Sequence, residues 1–198
     1  MKPHEHRRWL AEQAARCMSE YAIDDPVLAL RRVLSRQGAP PDRRAWPEPR
    51  EILAALREYQ RLFRGSAQAT QLDARRATAL DAMRFLASYR PRLVGAVLEG
   101  TADAHSPVQL HLHCDEPEAV MGFLQDQGIS HQTSERRVQL DPQRSATVPH
   151  LSFVADSIEI ELWLLPAECE RHTPLAGDGR TPIPRAALGA LLRQGAES

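Results

Sequence analysis

The sequence predicts an α+β fold, a helical N-terminal half followed by a mixed sheet with helices, and three observations carry that expectation. Apolar residues recur at helical spacing up to about residue 90. After "YRPR" the period changes to alternation, and "VQLHLHC" puts Val108, Leu110 and Leu112 on one strand face and Gln109, His111 and His113 on the other. A hydrophobic share of 42% and a charged share of 26% over 198 residues suit a globular chain with a sizeable core. The expected organisation is a helical region over 1–90 and an α+β domain over 91–198.

Each element has its own signal. "HRRWLAEQAARCMSEY" carries Trp9, Leu10, Ala14, Cys17, Met18 and Tyr21 close to i, i+3, i+4 spacing, the pattern of an amphipathic helix. Asp25 as cap and Pro26 at the first helical position open a second helix, with Leu28, Leu30, Val33 and Leu34 on its apolar face and Gly38 ending it. "APPDRRAWPEPR" reads as an extended, proline-rich connector with Trp46 turned inward. Two longer helices are expected over 48–64, on Ile52, Leu53, Leu56, Tyr59 and Leu62, and over 68–88, on Leu72, Ala77, Leu80, Met83, Phe85 and Leu86, with Gly65 between them.

In the second half, "LVGAVL" reads as a short buried strand, "VQLHLHC" as a half-buried one and "EPEAVMGFLQDQGI" as a helix ending at Gly128. "ISHQTS", "RRVQLD" and "HLSFVADSIEIELWLL" are further strands, the last a hairpin turning at Ala155–Asp156. "GDGRTPIPRAALGALL" reads as a loop and a short helix.

No apolar run approaches the ~20 residues that span a bilayer, so no membrane association is expected. The charged start "MKPHEHRRWLAEQAARC" lacks an apolar export segment, which makes a cytoplasmic chain the expectation. Cys17, Cys114 and Cys169 are too few and too scattered for a disulfide framework and read as reduced thiols. The net charge of −1 hides an asymmetry: 18 basic and 11 acidic residues up to Leu93, against 7 and 15 from Val94 onward. Because the arginines alternate with acids along helices, packing of the halves or solvated helix faces is favoured over nucleic-acid binding.

The stretch "GAVLEGTADAHSPVQLHLH" resembles the motif h-G-S-x3-G-x5-S-D-h-D-h of the DNA polymerase beta-like nucleotidyltransferase superfamily, and the resemblance covers Leu93 to Leu165. Gly95 stands at the first glycine, Gly100 at the second and Ser106 at the serine, and Val108 and Leu110 fill the hydrophobic slots. The third acid would fall at Glu159 or Glu161. The resemblance implies a nucleotidyltransferase-like mixed sheet, with Gly95, Gly100, Thr101 and Ser106 around the nucleotide and Gln109, His111, Glu159 and Glu161 at the catalytic positions. In the intact motif, aspartates two residues apart on a strand join the third carboxylate to hold Mg²⁺.

At the decisive positions this chain differs: Ala96 replaces the serine partner, and Pro107 and Gln109 replace the two aspartates. The expectation is therefore a nucleotidyltransferase-fold protein that binds a nucleotide, an RNA or a protein partner after losing its catalytic acids, with nucleic acid not favoured. The alternatives are an active enzyme with an unusual metal set, for which Mg²⁺ would be the ion, and an antitoxin-like regulator. His111 and His113, with His105 in the preceding loop, raise a histidine-based Zn²⁺ site as a further alternative, against which His111 and His113 read as partly exposed residues of a sheet face covered by helices. "AGDGRTP" and "GSAQAT" read as an ordinary turn and a capping segment, and no nucleophile, base and orienter triad is visible.

Overall fold

The computed structural model describes residues 3–21, 23, 25–36, 46–63, 65–176 and 179–196. The fold is mixed α+β, with helices first and a five-stranded sheet after them. The chain forms two compact units, Met1–Thr70 and Gln71–Ser198.

The first unit contains α1 (Pro3–Tyr21), α2 (Pro26–Arg36) and α3 (Pro49–Phe63). Its core joins Leu10, Ala14 and Met18 of α1 to Ala29, Leu30 and Leu34 of α2 and Ile52, Leu53 and Leu56 of α3, with Trp46 packed against them. Asp25 caps α2 as expected, its Oδ1 accepting from the Val27 N–H at 2.7 Å and the Leu28 N–H at 3.3 Å. Leu28 itself is exposed, because it lies off the stripe that Leu30 and Leu34 bury. Trp9 and Tyr21 are also exposed, and Tyr21 stacks under Arg32, whose guanidinium carbon lies 4.3 Å from the ring centre. The expected helix stop at Gly38 and most of the proline-rich connector lie outside the described residues.

Gly65 opens α4 (Gly65–Phe85), and the division after Thr70 falls inside the range of that helix. The later turns of α4 belong to the second unit, since Ala79, Ala82, Met83 and Leu86 join the core of the sheet. Ala77 and Phe85 fall outside that stripe and are exposed. Phe85 packs on Phe123 instead, with ring centres 4.9 Å apart.

The strands are β1 (Arg92–Val94), β2 (Val108–His113), β3 (Gln132–Gln139), β4 (Ser145–Ala155) and β5 (Ile158–Leu165), in sheet order β1-β2-β5-β4-β3. Among the described residues, only the central β2–β5 ladder is parallel. Between them come α5 (Gly95–Glu99) and α6 (Pro117–Asp126), and α7 (Leu188–Ala196) follows. One sheet face, with Leu93, Val108, Leu110, Leu112, Ile160, Leu162, Leu164, Leu151 and Phe153, forms the main core with α4 and α6.

Four strand expectations are corrected. "LVGAVL" is not one strand: β1 stops at Val94, and Gly95, at φ +70°, turns the chain into α5. "ISHQTS" and "RRVQLD" merge into the single edge strand β3, whose polar outer residues hide its continuity. The hairpin turns one residue later than expected, at Asp156–Ser157, where φ values of 51° and 64° are those of a type I′ connection. β4 also begins earlier, at Ser145, and tolerates Pro149 because the β4–β5 ladder ends at His150.

Candidate functional site

Strand alternation gathers the polar side chains of the second unit on the sheet face opposite the main core. Pairing registers align them in rows across the strands. One row runs Val94, Gln109, Glu161, Ser152 and Gln132; the next runs Arg92, His111, Trp163, His150 and Ser134. The sequence-expected residues Gln109 and Glu161 therefore face each other directly, and Gln109 Nε2 donates to Glu161 Oε2 at 2.8 Å. Glu159 lies on the same face two residues nearer the hairpin, is exposed, and stands opposite Val154.

Gly95 lies beneath Gln109. A Cβ on Gly95 would overlap Gln109 Oε1 and approach Cδ to 3.2 Å, so the room left by the missing side chain is taken by the amide. Gly100 has a different task. At φ +74° it terminates α5, and the Thr101 and Ala102 N–H groups donate back to the Ala96 carbonyl at 2.9 and 3.1 Å. Thr101 is buried. The Ser106 hydroxyl donates to Asp103 Oδ1 at 3.1 Å and accepts from the Asp103 N–H at 3.0 Å, so it fixes its own loop.

The histidines are not the partly exposed residues that the sequence suggested. His111 and His113 are 3% and 1% exposed, because the segment after β5 covers this face: Ala186 exchanges two backbone hydrogen bonds with Leu93, and Arg185 donates to the carbonyls of Cys169 and Glu170. Burial, with His113 and Arg185 adding to it, pushes His111 down to about 3. Burial also lowers His113, whose Nδ1 lies 2.9 Å from the Arg90 carbonyl. No cluster of three metal-ligating His, Cys, Asp or Glu residues occurs among the described residues. His111 stands beside Trp163, with ring centres 6.0 Å apart, in a row whose other neighbours are Arg92 and His150.

Sequence reasoning missed Arg75. This α4 residue is 4% exposed; its Nε donates to the Ser106 carbonyl at 2.8 Å and its Nη2 to the Ala104 carbonyl at 2.6 Å, clamping the loop before β2. The available signal was a charged residue inside the stripe that Leu72, Ala79, Ala82, Met83 and Leu86 otherwise keep apolar. It also missed His150, which is 3% exposed on β4, and Ser134 on β3. Ser134 Oγ lies 3.1 Å from His150 Nδ1, and His150 Nε2 lies 3.8 Å from Glu161 Oε2.

A cavity of about 690 Å³ lies elsewhere, in the first unit between α1 and α3, with Arg7, Arg8 and Glu51 in its walls. Arg7 and Arg8 are already paired there, with Glu51 and Glu12. The chain matches no known family model, and no curated protein matches it.

Proposed function

We propose that this chain is a nucleotidyltransferase-like scaffold that has exchanged metal-dependent transfer for binding of a nucleotide or a protein partner. The observation that carries the reading is the Gln109–Glu161 hydrogen bond at 2.8 Å. In an active site of this kind two carboxylates would face a divalent cation, which prefers anionic oxygen ligands. Here an amide N–H supplies the positive end of the interaction in place of a cation, and Pro107 supplies no ligand at all.

Two further observations support the loss of transfer. The amide of Gln109 fills the space above Gly95, where the resemblance would bring a phosphate against bare backbone. The Ser106 hydroxyl, placed around the nucleotide by the resemblance, is spent on Asp103.

Calorimetry with Mn²⁺ and a nucleoside triphosphate, paired with a nucleotidyl-transfer assay, tests the reading. The expected result is no transfer and no metal binding by the parent, with Mn²⁺ binding gained when Pro107→Asp and Gln109→Asp are combined. Transfer by the parent protein that is lost in Glu161→Ala would overturn it.

A further inference from the structure

The geometry points to a second chemistry on the same face: Ser134, His150 and Glu161 form a nucleophile, base and orienter relay that hydrolyses small carboxylic esters. This inference goes beyond the preceding reading and does not depend on it.

The relay is defined by distances across three adjacent strands. Ser134 Oγ lies 3.1 Å from His150 Nδ1, and the opposite ring nitrogen, Nε2, faces Glu161 Oε2 at 3.8 Å. Gln109 Nε2 holds that same carboxylate oxygen at 2.8 Å. Roles and geometry define such a relay, whatever the chain order of its members, and a base–orienter contact that is long in a free enzyme shortens as charge develops on the ring.

Burial separates the partners as the chemistry needs. Ser134 is exposed on the edge strand, whereas His150 is 3% exposed beneath it and packs edge-on against Trp163 with ring centres 5.6 Å apart. His150 Nε2 is a buried polar atom with no hydrogen-bond partner. An unpartnered buried nitrogen is destabilising and calls for an explanation, of which a catalytic role is one. Burial holds the imidazole below its ordinary value, the Glu161 carboxylate opposes that, and Arg136 and Glu159 are the other charges acting on it. A neutral ring is the form that can take a proton.

The strand edge supplies a donor for the developing oxyanion. The Gln139 carbonyl points away from β4 to accept from the Leu175 N–H at 2.7 Å, so by alternation the Glu135 N–H points to the same open side. Glu135 directly follows the serine, and β3 is the terminal strand of the sheet.

The step balances without a metal. Ser134 Oγ bonds to the ester carbonyl carbon while its proton moves to His150 Nδ1, and Glu161 stabilises the imidazolium. The carbon–alkoxy bond then breaks, and the leaving alcohol takes the proton from Nδ1. Water attacks the acyl-serine, passes a proton to Nδ1, and the carboxylic acid departs as Ser134 recovers its proton.

The test uses the full chain with p-nitrophenyl acetate and a fluorophosphonate probe. Expected are turnover above buffer and a probe adduct on the peptide containing Ser134, both abolished in Ser134→Ala, whose exposed site leaves folding intact. His150→Gln should slow labelling at least 100-fold. Glu161 acts as a positioning residue, so Glu161→Gln should lower the rate and move the midpoint of the pH–rate profile to lower pH, because the carboxylate that raises the ring's proton affinity is gone. Equal turnover and labelling in parent and Ser134→Ala, or a profile unmoved in Glu161→Gln, would overturn the relay.

Discussion

Gln109 and Glu161 lie opposite each other in the parallel β2–β5 ladder, and the amide of one donates to the carboxylate of the other at 2.8 Å. Gly95 completes the arrangement, since its φ of +70° and its bare Cα are what allow the amide to lie there. Gly95→Ala should therefore cost about 1–3 kcal/mol, from positive-φ strain together with displacement of Gln109. Combining it with Gln109→Ala should return the steric part and leave the backbone part. Urea unfolding of the two single variants and the double variant checks this, the expected outcome being a non-additive cycle.

Arg75 holds the loop before β2 through two carbonyls. Arg75→Met keeps the packing volume but leaves the Ala104 and Ser106 carbonyls without their donor, a loss of about 2–3 kcal/mol. Hydrogen exchange should accelerate across residues 101–107 more than across β5.

Acid should destabilise the sheet through His111. Its folded-state proton affinity is depressed, to about 3, so the unfolded chain takes up a proton first as the pH falls below its ordinary value near 6.5. The histidine's contribution is complete above that value and drains away between about 6.5 and about 3, at up to ~1.4 kcal/mol per pH unit. His113 and Arg185 face it and act in the same direction. His111→Leu should flatten the dependence, read as the difference in urea midpoint between pH 7 and pH 5.

The hairpin between β4 and β5 offers a stabilising change. Ser157 has φ 64°, a region that costs a non-glycine residue. Ser157→Gly should raise stability by about 0.5–1 kcal/mol, seen as a higher thermal midpoint.

Apart from α5, which lies in an apolar run that reads as strand, the helices and the alternation of β2 are legible from spacing, and Gln109 and Glu161 as site candidates from the motif resemblance. Each depends on a period or a motif that lies along the chain. Burial of His111 and His113 could not, since the covering segment with Arg185 and Ala186 carries no periodic signal. β3 was split in two because six of its residues face solvent and break the apolar pattern. The juxtaposition of Ser134 and His150 with Glu161 is invisible for a different reason: the three sit on three strands, and only the pairing registers bring them into reach.

The parallel β2–β5 ladder also orders events in time. The β4–β5 hairpin and the β3–β4 pair are local and can close early, whereas Gln109 meets Glu161 across 52 positions of sequence. Loop-closure entropy must be paid before that contact returns anything, which places it late on the folding path. A chain emerging from the ribosome thus carries β2 with its partner edge bare until β5 has been synthesised. During that interval the β5-facing edge of "VQLHLH" has no strand to pair with.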